Sequence, residues 1–156
     1  MKKNPSTTTS GYLLTRTCRM LTAVAMTVFI AGCGAMGTGT GPTGQVSLSG
    51  ANEVPAIVTT ATGSGMIRVT SDHAVSGSIS TTGIDGKAAH IHLAPKGSNG
   101  PVVLPLTKVA DGSWIVPEGA KLSDAQYASY IAGDMYVNVH SAANPAGEIR
   151  GQLRSN

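Results

Sequence analysis

Disulfides are the first thing this chain lacks. Its 156 residues hold two cysteines, Cys18 and Cys33, both in an N-terminal stretch that reads as a targeting signal. The domain that follows therefore has no thiol for cross-linking or for nucleophilic chemistry. Aromatic side chains are scarce as well. After residue 32 the supply is Trp114, Tyr127, Tyr130 and Tyr136, so a core must rest on Val, Ile, Leu, Met and Ala, with Trp114 as a core or rim anchor. Charge is equally thin. Lys2, Lys3, Arg16 and Arg19 lie in the signal, and the seven basic residues that remain face all eight acids. That balance of −1, with no basic run, carries no electrostatic footprint for nucleic acid. No serine nucleophile elbow, phosphate-cradling loop or spaced carboxylate pair occurs, so hydrolase and transferase readings lack their residues.

What is present begins with export. A basic flank precedes an apolar run from Met20 to Ala31, too short for an ordinary membrane span and of the length of a signal-peptide core. The run ends in Ile30-Ala31-Gly32-Cys33, which resembles the lipobox of bacterial lipoproteins. That resemblance implies cleavage before Cys33 and lipid on Cys33. Gly34, where an Asp would signal inner-membrane retention in that family, points to the outer membrane. The expected organisation is a signal peptide over 1–32, a lipidated Cys33 with a flexible Gly/Thr tether over 33–44, and one domain over 45–156. Its expected partner is the membrane, through lipid; protein partners and oligomeric state stay open.

Short alternating stretches broken by Gly, Pro, Asn or Asp recur through the domain, the pattern of an all-β sandwich or barrel. Strands are expected at Gln45 to Ser49, Gly65 to Ser71, Ala74 to Thr81, Ala88 to Ala94, Val102 to Thr107, Ser113 to Val116, Met135 to Ser141 and Glu148 to Leu153. The exception is residues 123–131. They open on Ser123, a capping residue, and carry Leu122, Tyr127, Tyr130 and Ile131 near helical spacing, so a short helix is expected there.

The chemistry sits in two of these strands, Ala89-His90-Ile91-His92-Leu93 and Tyr136-Val137-Asn138-Val139-His140. Side chains alternate across a strand, so His90 and His92 share one face, and Tyr136, Asn138 and His140 share one face of the other. If the strands are neighbours, three imidazoles converge on one transition metal, copper favoured and zinc second, with an open position left for water. The plain alternative is a polar ladder in which the imidazoles bond to backbone and to Asn138 or Glu148. His73, beside an expected turn at Ser71-Asp72-His73, reads as structural.

The last strand aligns Glu148, Arg150 and Gln152 on one face. Glu148 can orient an imidazole through its free N–H, and Arg150 can pair with Glu148 or await an anion. A solvated sheet face or a fold-defining corner is the plainer reading of that alternation. Glu53 either caps a loop or approaches the site.

Four ordered motifs carry a family resemblance: Leu48-Ser49-Gly50-Ala51-Asn52-Glu53-Val54-Pro55, Ala89-His90-Ile91-His92, Asn99-Gly100-Pro101-Val102-Val103, and Tyr136 to His140 followed by Pro145-Ala146-Gly147-Glu148-Ile149-Arg150-Gly151-Gln152. Together they resemble the CHRD domain family, named for repeats in chordin and found alone in bacterial exported proteins. The resemblance implies a Greek-key β-sandwich, immunoglobulin-like or superoxide-dismutase-like, and no agreed activity. A weaker similarity to copper–zinc superoxide dismutases rests on the order His90, His92, His140, Arg150. The zinc loop and disulfide of those enzymes are missing here, and the spacing from His140 to Arg150 is short. Metal binding for buffering or envelope protection is therefore expected first, a non-enzymatic structural or interaction module second, and dismutase-like oxidoreduction third.

Overall fold

The computed structural model describes residues 44–155. The expected signal peptide, lipidated Cys33 and nearly all of the tether lie outside the described residues. Nine strands form: β1 Gln45–Ser49, β2 Thr62–Val69, β3 Val75–Thr82, β4 Gly86–Leu93, β5 Val102–Pro105, β6 Thr107–Ala110, β7 Ser113–Ile115, β8 Met135–Ser141 and β9 Ile149–Gln152. They pair antiparallel in one sheet of order β5-β4-β8-β9-β1-β2-β3-β7-β6. The all-β expectation holds, with one helix.

Chain connectivity dictates the shape of this sheet. β5 and β6 stand at its opposite ends, yet only Leu106 separates them in sequence, so the sheet has to curl until its ends meet. The Leu106 N–H donates to the Ala89 carbonyl of β4 at 2.9 Å, which marks the corner where the chain changes from one layer to the other. The single expected strand over Val102 to Thr107 is thus two. β5 pairs with β4 and β6 with β7, and partner identity is a tertiary property that the local pattern does not carry.

Curling brings the apolar face inward. Val46, Leu48, Ile67, Ile79, Ile91, Val137, Val139 and Ile149 are each 3 % exposed or less and form one cluster with Leu106 and Trp114. Trp114 is 2 % exposed, as its reading as an anchor required. It fits because Gly86 leaves space: a Cβ there would lie 2.8 Å from the indole Cζ2, inside van der Waals contact.

The helix α1, Asp124–Ala132, starts at Ser123 with a reciprocal capping box. Ser123 Oγ accepts from the Gln126 N–H at 3.3 Å, and Gln126 Oε1 accepts from the Ser123 N–H at 2.9 Å, which satisfies two otherwise unpaired donors. Leu122 and Tyr130 pack inward, whereas Ile131, grouped with them by spacing, is 50 % exposed. His73 is half-buried, stacks on Tyr127 at 4.2 Å and lies 3.4 Å from the Asp124 carboxylate, tying a turn to the helix as a structural residue does. Among the described residues no helix is long and apolar enough to cross a membrane.

Truncating Leu106 to Ala should cost about 2–5 kcal/mol, since it removes buried volume at the corner that closes the sheet. Ile131→Ala should stay within about 0.5 kcal/mol, as exposed substitutions do. Urea unfolding of both variants followed by circular dichroism checks the contrast; equal midpoints would contradict it.

Candidate metal centre

Strands β4 and β8 are direct neighbours, with His90 opposite Asn138, His92 opposite Tyr136 and Ala88 opposite His140. The face they share with β9 therefore carries His92, Tyr136 and Gln152 in one cross-strand row, and His90, Asn138 and Arg150 in the next. The ligand nitrogens of His90, His92 and His140 all lie within 4.8 Å of one another. Ring centroids stand 4.9 to 6.0 Å apart. The three histidines singled out by strand alternation are thus brought together.

This face is not wet. Tyr136 and Asn138 are each 2 % exposed, Glu53 is 7 %, Glu148 is 8 % and Arg150 is 1 %, although alternation on β9 reads as a solvated surface. The roof is made of connections. A 3-10 turn, Gly50–Asn52, leads into the β1–β2 connection, where Asn52 Nδ2 donates to the Arg150 carbonyl at 3.1 Å and Thr59 Oγ1 to Glu148 Oε1 at 2.8 Å. The β4–β5 connection adds Asn99, whose Nδ2 donates to the Val54 carbonyl at 2.6 Å. Buried polar groups need such partners, so a roofed polar layer persists only where loops bring acceptors and donors to it.

Carbonyls set the tautomers. His92 Nδ1 lies 2.9 Å from the Gly100 oxygen and His140 Nδ1 lies 3.0 Å from the Pro145 oxygen. A carbonyl only accepts, so both Nδ1 atoms carry hydrogen, and in the neutral form of each ring Nε2 keeps a lone pair. His140 Nε2 accepts from His90 Nδ1 at 3.0 Å. With the His90 hydrogen moved to its Nε2, the same two nitrogens would stand close to the about 3.3 Å that separates two imidazole nitrogens on one tetrahedral ion. His92 Nε2 is buried and has no hydrogen-bond partner among the described residues, a lone pair that a cation would satisfy in the neutral ring. An all-imidazole donor set with braced Nδ1–H groups fits copper or zinc chemistry.

Burial also favours the neutral form of two of the rings. It pushes both His90 and His140 below the ordinary histidine value of 6.5, helped at His90 by the neighbouring His140 and His92, and opposed at His140 by the Pro145 carbonyl. Neutral imidazole is the form that ligates.

Glu148, Arg150 and Asn138 lie around the cluster, and the hydrogen bonds that hold the imidazoles come from elsewhere. Glu148 accepts from Thr59 and, through a short contact, from the Ser141 hydroxyl. Those bonds hold its carboxyl below the usual range, Ser141 first. Arg150 forms no ion pair with Glu148. Its Nη1 donates to Asn99 Oδ1 at 3.2 Å, and its guanidinium lies 3.4 Å from the Tyr136 ring centroid. Among the described residues, Asn138 Oδ1 and Glu53 Oε1 are buried without hydrogen-bond partners. The groups that alternation missed are the Gly100 and Pro145 carbonyls and the Tyr136 ring, which stacks on His92 at 4.8 Å and 8°. Only Tyr136 left a signal, its shared face with His140.

Gly100 makes two hydrogen bonds that converge on the site. Its carbonyl takes His92 Nδ1–H, and its N–H donates to the Tyr136 hydroxyl oxygen at 3.3 Å. A Cβ at that position would fall 1.8 Å from the Leu93 carbonyl oxygen, so the close approach requires glycine.

Comparison with protein families finds the CHRD domain over residues 44–153. No curated protein matches, and no solved structure matches.

Glu53 gives this layer a pH response of definite sign. Burial raises its carboxyl from 4.5 to about 7, opposed by Arg150 and the Val54 N–H. A raised folded value means that its stabilisation is fully present below 4.5 and is lost as pH rises through about 7, because ionisation leaves a poorly solvated charge. Glu53→Gln should therefore be more stable than the wild type at pH 8. The gap should narrow steadily toward pH 5. Urea midpoints at three pH values would show it, and a gap independent of pH would contradict it.

Proposed function

This chain belongs to the CHRD domain family, and on that premise we propose that it binds one transition-metal ion through His90, His92 and His140. The observation that carries the reading is the convergence of three imidazole nitrogens within 4.8 Å, one of them, His92 Nε2, buried and unpartnered. Copper is the favoured ion and zinc the second choice, since the donors are nitrogen and no carboxylate or thiolate joins the cluster among the described residues. A bound ion would supply Lewis acidity or redox capacity. The residues of this chain hold the imidazoles in orientation, favour the neutral form of His90 and His140 by burial and restrict water through the loop roof.

The cellular setting belongs to the same proposal. The basic flank, apolar run and lipobox-like Ile30-Ala31-Gly32-Cys33 support an exported protein, lipid-anchored through Cys33 to the outer membrane, with its domain in the periplasm or at the cell surface. There it would buffer metal or protect the envelope. A second reading, an interaction or structural module whose histidines only brace loops, draws on the His90–His140 hydrogen bond of 3.0 Å. Dismutase-like chemistry has weaker support. The arginine that such a site would aim at an anion is 1 % exposed and occupied by Asn99 and Tyr136.

Calorimetric titration of the purified domain with Cu(II) and Zn(II) tests the proposal beside a His90→Ala/His92→Ala variant. The wild type should take up one equivalent and the variant should lose it. Equal uptake by both would overturn the metal reading and favour the bracing module.

A further inference from the structure

The metal reading leaves Arg150 without a task, and the inference drawn here rests on that reading and deepens it. Arg150 is a cation 1 % exposed with no carboxylate within ion-pairing distance among the described residues. Glu53 acts on it from beyond ion-pairing distance, and burying an arginine without a direct ion pair is expensive unless its donors and its faces are used. Here they are spent on one region. Nη1 donates to Asn99 Oδ1 at 3.2 Å, while Nη2 reaches the Pro95 carbonyl at 3.5 Å and Gln152 Oε1 at 3.4 Å. Two of these acceptors belong to the β4–β5 connection. The guanidinium lies over Tyr136 at 3.4 Å from the ring centroid, well within cation–π range.

Both routes end on the same imidazole. Asn99 precedes Gly100, whose carbonyl fixes His92 Nδ1. Tyr136, held by Arg150 on one side and by the Gly100 N–H at its hydroxyl, stacks on the His92 ring at 4.8 Å. His140 is braced separately, by Pro145. We propose that Arg150 is the positioning residue of His92, acting through Asn99 and Gly100 on its Nδ1 and through Tyr136 on its ring face, so that Nε2 is presented to a metal ion.

Long-range proton–nitrogen correlation spectra of the metal-free domain report imidazole tautomers directly. In the wild type both His92 and His140 should show the Nδ1–H form. In Arg150→Lys, Arg150→Gln and Asn99→Ala, His92 should lose that fixed form while His140 keeps it, a selectivity that general loosening would not produce. Lysine keeps the charge without the fork or the flat face, so Arg150→Lys should not rescue. Cu(II) affinity should fall about 10- to 100-fold, as for other groups that orient a ligand. In a His92→Ala background, Asn99→Ala should add no further loss. If the Arg150 variants fail to fold, Asn99→Ala, at an exposed position, decides the matter.

A folded Asn99→Ala protein with the wild-type His92 tautomer and affinity would overturn the proposal. Equal disturbance of His92 and His140 would also overturn it. A wild type that takes up no Cu(II) would remove the metal reading, and the tautomer spectra of the metal-free chain would still decide the positioning role.

Discussion

Strand β8 is covered on both sides, and most of what distinguishes this molecule follows from that. Its inner residues Met135, Val137 and Val139 are each 1 % exposed or less and belong to the apolar core of a curled sheet. Its outer residues Tyr136 and Asn138 are just as enclosed but polar, and enclosure of polar groups is tolerated only with hydrogen bonds in place. The connections after β1 and β4 fold back as a roof and bond Tyr136, Glu148 and the Arg150 carbonyl, while Asn138 Oδ1 is left without a partner among the described residues. The four sequence motifs, scattered over a hundred residues, are in space one assembly around this strand.

That arrangement explains how a thin core supports a defined site. With few aromatics and no thiol in the described part of the chain, the sheet closes through geometry: a single-residue corner at Leu106 joins the two ends of the strand order. Elsewhere in the sheet, β2 and β3 alternate buried Ile67, Val75 and Ile79 with exposed Ser64, Ser78 and Ser80, the ordinary one-sided pattern. The β4-β8-β9 half departs from it. There a second, polar layer is packed outside the first.

Much of this was legible in the chain itself. Period-two alternation located β1 and β8 at their observed bounds, Gln45–Ser49 and Met135–Ser141, because Val46 and Leu48 in one, and Met135, Val137 and Val139 in the other, mark an apolar face. Ser123 as a capping residue, followed by Tyr127 and Tyr130 near helical spacing, announced the helix from local sequence. The shared face of His90 and His92 followed from the pleat, and proximity to His140 required only that β4 and β8 pair. What stayed hidden depends on long-range partners. The break at Leu106 has no turn residue after it to mark a change of neighbour. Burial of Arg150 and Glu148 needed the roof, and no periodicity reports a roof. The carbonyls of Gly100 and Pro145 are backbone groups, identical at every position until the fold aims them.

The separation of the cluster's members along the chain has a further consequence. His92 and His140 belong to segments about fifty residues apart, and their braces come from two other loops, so the unfolded chain retains only the local His-x-His pair. An ion gripped by all three rings would cross-link the two halves of the polypeptide and lose affinity the moment they part. Occupancy would then report foldedness, and for a domain without disulfides such a clasp would substitute for the covalent staple its composition denies it.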